Sequence, residues 1–169
     1  MSVFLGRDGN ISIFRVALLV ALLGILFIGG ALLSFFIDQT SRQSPLNIEP
    51  YPGAEPMGEI PNGPTARSLI FRVRDASPEQ VAEYYQQKLT EFSGADDLEC
   101  SRIPRVGVYP EAEGRNDVVP YQFICHFDRS GFRATQYTKV KIQPGIFSAV
   151  PAENTLGYTM IEHEQRWQP

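Results

Sequence analysis

The chain is poor in the residues from which catalytic and metal sites are usually built. It has two cysteines, Cys100 and Cys125, and two histidines, His126 and His163. Neither a C-x-x-C-H haem attachment, nor a paired-cysteine metal spacing, nor an H-E-x-x-H pair occurs. A Gly-rich phosphate cradle and a nucleophile elbow are missing too, and without C-x-x-C spacing the cysteines do not read as a redox-active pair. One-signed charge is equally scarce. The net charge is −4, and no clustered basic face points to a nucleic-acid partner. These absences lead us to expect a protein that is not an enzyme and holds no cofactor or metal.

What the chain does have is one long apolar run. Val16 to Ile37 contains no charge and is closed by Arg15 on one side and Asp38 on the other. At about 1.5 Å per residue, a helix of this length matches a hydrocarbon core of about 30 Å. In lipid the backbone must satisfy its own hydrogen bonds, so a span of this kind is a helix. The run exceeds the roughly 7–15 apolar residues of a signal-peptide core. Leu32, Leu33, Phe35, Phe36 and Ile37 continue past the small residues Gly29–Ala31, where cleavage would be read. The first cysteine after it is Cys100, which argues against a lipid-modified amino terminus. We therefore expect a transmembrane helix over 16–37. Arg7 and Arg15 precede it, whereas Arg42 is the one basic residue between it and Arg67. That asymmetry favours a cytoplasmic amino terminus over residues 1–15 and an extracytoplasmic remainder.

Within the span, Ala17, Ala21, Gly24, Ile28 and Ala31 recur at spacings of four and three. Ala17, Ala21, Gly24 and Ala31 would form a helix-packing face, because small residues let helices approach closely in lipid. The plainer explanation is that alanine and glycine are common in membrane helices.

Residues 38–66 read as a Pro-rich linker. Pro45, Pro50, Pro52, Pro56, Pro61 and Pro64 alternate with Gly53, Gly58 and Gly63, a density that stops helices and central strands. A single α+β domain is expected over 67–169. Leu69, Phe71 and Val73 alternate with Ile70, Arg72 and Arg74 as a half-buried strand. Ser77-Pro78-Glu79-Gln80 then opens a helix with an N-cap serine, proline at its first position and glutamine three residues after the cap. Val81, Tyr85, Leu89 and Phe92 make its apolar stripe, and Gly94 ends it. Strands are expected at Leu98–Ile103, Tyr121–Phe127, Ala134–Ile142 and Leu156–Glu164, joined mostly by turns. The fold class is one helix packed on a mostly antiparallel sheet of four to five strands.

Tyr51-Pro52-Gly53-Ala54-Glu55, followed by a strand and then Asp75-Ala76-Ser77-Pro78-Glu79-Gln80-Val81 leading to Tyr84-Tyr85 and Leu89, resembles a family of bacterial membrane-anchored domains. Their shared features are a YPGA start and a D-x-S-P-E-x-V helix. The likeness covers 51–92 and implies one helix on a small sheet outside the cytoplasm, anchored in the plasma membrane, with no catalytic residues to carry over. This chain departs from the pattern at Tyr84, where phenylalanine is usual, and in the stretch 104–120. Its architecture is also similar to single-span accessory subunits of electron-transfer assemblies such as alternative complex III.

Cys100 and Cys125 both fall on the inward phase of their strands. Outside the cytoplasm they suit a disulfide; two buried thiols are the alternative. Cys125 and His126 are adjacent on a strand and cannot share a site. Glu162 and Glu164 share a strand face, where a charged exposed edge explains them better than a carboxylate pair. Glu111, Glu113, Asn116 and Asp117 do not fit the spacing of a calcium loop and read as solvated. Two functions remain. One is a non-catalytic accessory subunit partnered with the membrane and with other integral membrane proteins. The other is a free-standing module that binds a ligand or peptide.

Overall fold

A computed structural model of the chain describes residues 13–94, 98–131 and 134–168. Of the expected cytoplasmic head over 1–15, residues 1–12, with Arg7, fall outside the described residues, and 13–15 belong to the first helix. The chain forms two compact units, Met1–Ser41 and Arg42–Pro169.

In the first unit, helix α1 spans Ile13–Ser41. It runs past the apolar stretch because polar side chains close its last turn: Thr40 donates to the Phe36 carbonyl at 2.7 Å and Ser41 to that of Asp38 at 2.7 Å. Val16–Ser41 is long and apolar enough to cross a bilayer, as an anchor or as a signal sequence. Its large side chains, among them Leu26, Phe27 and Leu33, are exposed.

The second unit contains strands β1 (Glu55–Pro61) and β2 (Ala66–Val73), helix α2 (Pro78–Ser93), and strands β3 (Ser101–Ile103), β4 (Gln122–Asp128), β5 (Thr135–Pro144) and β6 (Thr159–Gln168). They form one six-stranded sheet in the order β1-β2-β6-β5-β4-β3, with every neighbouring pair antiparallel. This is the expected α+β class, with one strand more than the sequence suggested.

Helix α2 is capped at both ends as its sequence dictates. Gln80 N–H donates to the Ser77 hydroxyl at 3.3 Å, and Ser77 N–H donates to the Gln80 side chain at 2.9 Å. Gly94 takes the left-handed conformation that ends the helix, at φ 64°. Val81, Tyr85 and Leu89 then point into the sheet, where they meet Cys125, Phe127, Val140, Ile142 and Ile161. Each such fully buried apolar side chain contributes roughly 1.5–3 kcal/mol.

The largest departure from the sequence reading lies between 42 and 66. This stretch is part of the domain rather than a linker. Ile48 is buried in the core, with Leu46, Tyr51 and Ala54 packed around it. Gln136 donates to the Ser44 carbonyl at 2.8 Å, Thr138 to that of Leu46 at 2.6 Å and Gln165 to the same Leu46 carbonyl at 2.7 Å. Those three polar residues lie on the inner face of β5 and β6, and an extended backbone there satisfies them as no apolar helix face could. Farther along, Glu55–Pro61 pairs with β2 as an edge strand, its register broken between Pro56 and Gly58. Prolines and a bulge suit an edge, because nothing must pair with the outer side.

Strand β6 starts at Thr159 rather than Leu156, because 145–158 is a closed loop. Gly145 N–H donates to the Tyr158 carbonyl at 2.7 Å and Thr155 N–H to that of Ile146 at 3.0 Å. A Cβ at Gly145 would lie 1.8 Å from the Thr155 carbonyl oxygen, so only glycine fits. With β1 and β2 added outside it, β6 is a central strand. Glu162 and Glu164 are therefore not an exposed edge. They lie on the open face of the sheet, where Lys141 reaches them at 3.3 and 3.1 Å and Lys139 reaches Glu164 at 4.0 Å.

Candidate functional site

The YPGA segment and the SPE helix are distant in sequence but joined by one buried hydroxyl. Residues 51–54 form a turn closed by Ala54 N–H donating to the Tyr51 carbonyl at 3.0 Å, with Gly53 at φ 77°. Tyr51 N–H donates to the Tyr85 hydroxyl at 3.1 Å, and that hydroxyl lies 2.8 Å from His163 Nε2. The hydroxyl oxygen takes the Tyr51 N–H on a lone pair and shares a second hydrogen bond with His163 Nε2, whose direction follows the ring's tautomer. Burial lowers the His163 pKa from 6.5 to about 4, which keeps the ring neutral. Burial likewise raises the Tyr85 pKa. Tyr84 stacks edge-on against Tyr51, with ring centroids 5.2 Å apart, and completes the clasp.

Beside this clasp, a cleft of about 570 Å³ opens between the 51–54 turn, the end of β2 and Tyr158. Arg72 and Arg74 both lie against the Tyr158 ring, at 4.8 and 4.9 Å from its centroid. Arg72 is tied to Glu55 at 3.0 Å. Arg74 donates to the Tyr158 hydroxyl and, among the described residues, forms no ion pair. Its pKa is raised, first by that hydrogen bond, with Asp75 and Glu55 adding at longer range. No family model matches the chain, and no curated protein or solved structure is similar to it. The chemistry of the chain must be read from these residues themselves.

A second cleft, of about 730 Å³, lies between the end of α2 and the outer side of β4. Leu89, Phe92, Leu98 and Ile124 supply its apolar wall, and Glu99, His126 and Asp128 its polar one. The disulfide lies at this end of the sheet. Cys100 and Cys125 are bonded, with Cα atoms 4.2 Å apart, the spacing of directly opposed residues on antiparallel strands. Beyond it the chain leaves β4, because the Gln86 amide takes Cys100 N–H at 2.6 Å and donates to the Leu98 carbonyl at 2.8 Å.

The remaining residues named from sequence scatter. Cys125 is buried and His126 exposed on the opposite face, as strand alternation requires. Asp117 pairs with Arg115 at 2.7 Å, and the Asn116 carbonyl accepts from Phe147 N–H at 2.7 Å. That stretch is thus held by its own contacts and by the 145–158 loop. Ala17, Ala21, Gly24 and Ala31 are exposed along α1, and a Cβ at Gly24 would meet nothing within 4 Å. Sequence reasoning missed two groupings. The Tyr85–His163 pair had a signal in the inward phase of both residues. The Arg72–Tyr158–Arg74 stack had none.

Proposed function

We propose that the chain is a single-pass, non-catalytic accessory subunit of a multi-subunit bacterial membrane complex. The amino terminus lies in the cytoplasm, the helix crosses the plasma membrane, and the α+β domain is extracytoplasmic. One observation carries this reading, the lack of a spacer between helix and domain. The helix ends at Ser41, and by Ser44 the backbone is already accepting a hydrogen bond from the sheet. Two residues thus separate the last helical residue from the first backbone group held by the sheet, which leaves no length for a flexible tether. The Cys100–Cys125 disulfide supports an oxidising compartment. The small face of α1 supports close packing against another helix. Electron-transfer complexes are the class of assembly its architecture resembles.

The test is extraction from native membranes in mild detergent followed by native gel analysis. The wild type should migrate with larger partners. Replacing Ala21 and Gly24 by leucine should remove it from that band while the domain stays folded, because overpacking acts only where a neighbour sits close. Wild-type protein running alone and monomeric would reject the proposal in favour of a free-standing binding module.

A further inference from the structure

We propose that the cleft beside the 51–54 turn binds a small organic oxyanion, a carboxylate or phosphate, on the Arg74 guanidinium with Arg72 as second donor. The site is independent of whether the chain is a subunit of a complex. Three features support it. The first is that its walls are fixed. Tyr158 is held by its N–H donating to the Thr155 carbonyl at 3.0 Å and by its own carbonyl accepting from Gly145 N–H. The opposite wall is the 51–54 turn, anchored through Tyr51 N–H on Tyr85.

The second is that two long, flexible arginine side chains are ordered against one ring. Ordering such side chains in advance removes much of the entropy cost of binding. A planar guanidinium is also the group best matched to a two-oxygen acceptor. The third is an imbalance of partners. Glu55 holds Arg72, whereas Arg74 has a neutral hydroxyl as its partner and no ion pair among the described residues. Glu55 thus stands where a ligand oxyanion would reach Arg72, as an internal competitor. Asp75 adds a second carboxylate to the rim, and Pro52, Val73 and Ala76 in the rest of the cleft suit an apolar body on the ligand.

The competitor makes the test specific. Full-length ¹⁵N-labelled protein in a neutral maltoside micelle is titrated with sodium acetate and, separately, with sodium phosphate. Sodium chloride at matched ionic strength serves as the blank, and the arginine side-chain Nε–H signals are followed. Saturable shifts at Arg74 and Arg72 are expected in the millimolar range, larger than the chloride response. Arg74→Gln should weaken binding about tenfold, the scale of one lost charge-assisted hydrogen bond, without lowering the melting temperature. Glu55→Gln should tighten it by freeing Arg72, an effect that a merely structural stack would not produce. Tighter binding of acetate identifies a carboxylate ligand, and of phosphate a phosphate. A response no larger than that to chloride, one unchanged in Arg74→Gln, or weaker binding in Glu55→Gln would overturn the proposal.

Discussion

His163 should make the domain acid-sensitive well above the range in which carboxylates titrate. The residue is about 1% exposed and its Nε2 shares a hydrogen bond with the Tyr85 hydroxyl, so protonating the ring would place a desolvated charge in the core. The folded-state pKa is about 4 against an ordinary 6.5. Between those values the unfolded chain binds a proton that the folded chain refuses, so unfolding gains from acid. The sign follows: the full stability is present above pH 6.5 and declines as pH falls toward 4. At about 1.4 kcal/mol per unit, the loss over that window is roughly 3 kcal/mol. Against a typical total of about 5–15 kcal/mol, that is a large share. The assay is denaturant unfolding of residues 42–169 at several pH values between 7.5 and 4, for wild type and His163→Gln. Glutamine can still accept from Tyr85 but does not titrate, so its curve should be flat down to about pH 5, below which carboxylates such as Asp117 begin to contribute. A direct check is the histidine ring proton of His163, whose NMR titration midpoint should lie below 5. Equal slopes for wild type and variant, or a midpoint near 6.5, would refute the reasoning.

Two further outcomes follow from the same packing. Reducing the Cys100–Cys125 disulfide, which joins residues 25 apart, should cost roughly 3–4 kcal/mol by the loop-entropy relation and lower the melting temperature by on the order of 10 °C; unchanged melting in strong reductant refutes this. Replacing Ser44–Pro50 with a Gly-Ser segment of equal length removes Ile48 and Leu46 from the core, and with them the packing that holds the 44 and 46 carbonyls against Gln136, Thr138 and Gln165. At roughly 1–3 kcal/mol for each buried group left unpaired, the domain should fail to give a dispersed NMR spectrum, whereas a passive spacer would tolerate the change.

The elements read correctly from sequence are those whose cause is local. The 77–80 capping box, the Val81-Tyr85-Leu89 stripe and the alternation in β4 and β5 each depend on neighbours within a few residues, and each is present. The stretch 42–66 was misread because its cause is remote. Proline density excludes helices and central strands, and that inference held. It does not exclude an edge strand or a backbone laid across a sheet, and these are what the segment forms. A signal was nevertheless present elsewhere in the chain. Gln136, Thr138 and Gln165 occupy the inward phase of their strands, where a helix-covered sheet would carry apolar residues. Polar groups in that phase require hydrogen-bond partners opposite them, and the Ser44 and Leu46 carbonyls supply them.

The candidate site follows the same division between local and remote causes. Strand periodicity puts Arg72 and Arg74 in register with each other, but not in register with Tyr158, which comes from a loop whose shape depends on Gly145 and Gly157. Gly157 has φ 86°, a conformation that strand patterning does not report. Arg72 and Arg74 read as the outward phase of a half-buried strand until the loop brings the Tyr158 ring against both. The YPGA turn gains its meaning in the same way. Its proline and glycine set a local turn, yet the turn is held in place by Tyr85, and Tyr85 by His163 on the central strand. The hydroxyl that anchors one wall of the cleft is therefore bonded to the group that makes the core sensitive to acid. Protonating His163 puts a buried charge against the Tyr85 hydroxyl that supports Tyr51 N–H, so loss of oxyanion binding should accompany the loss of stability between pH 6.5 and 4 rather than precede it.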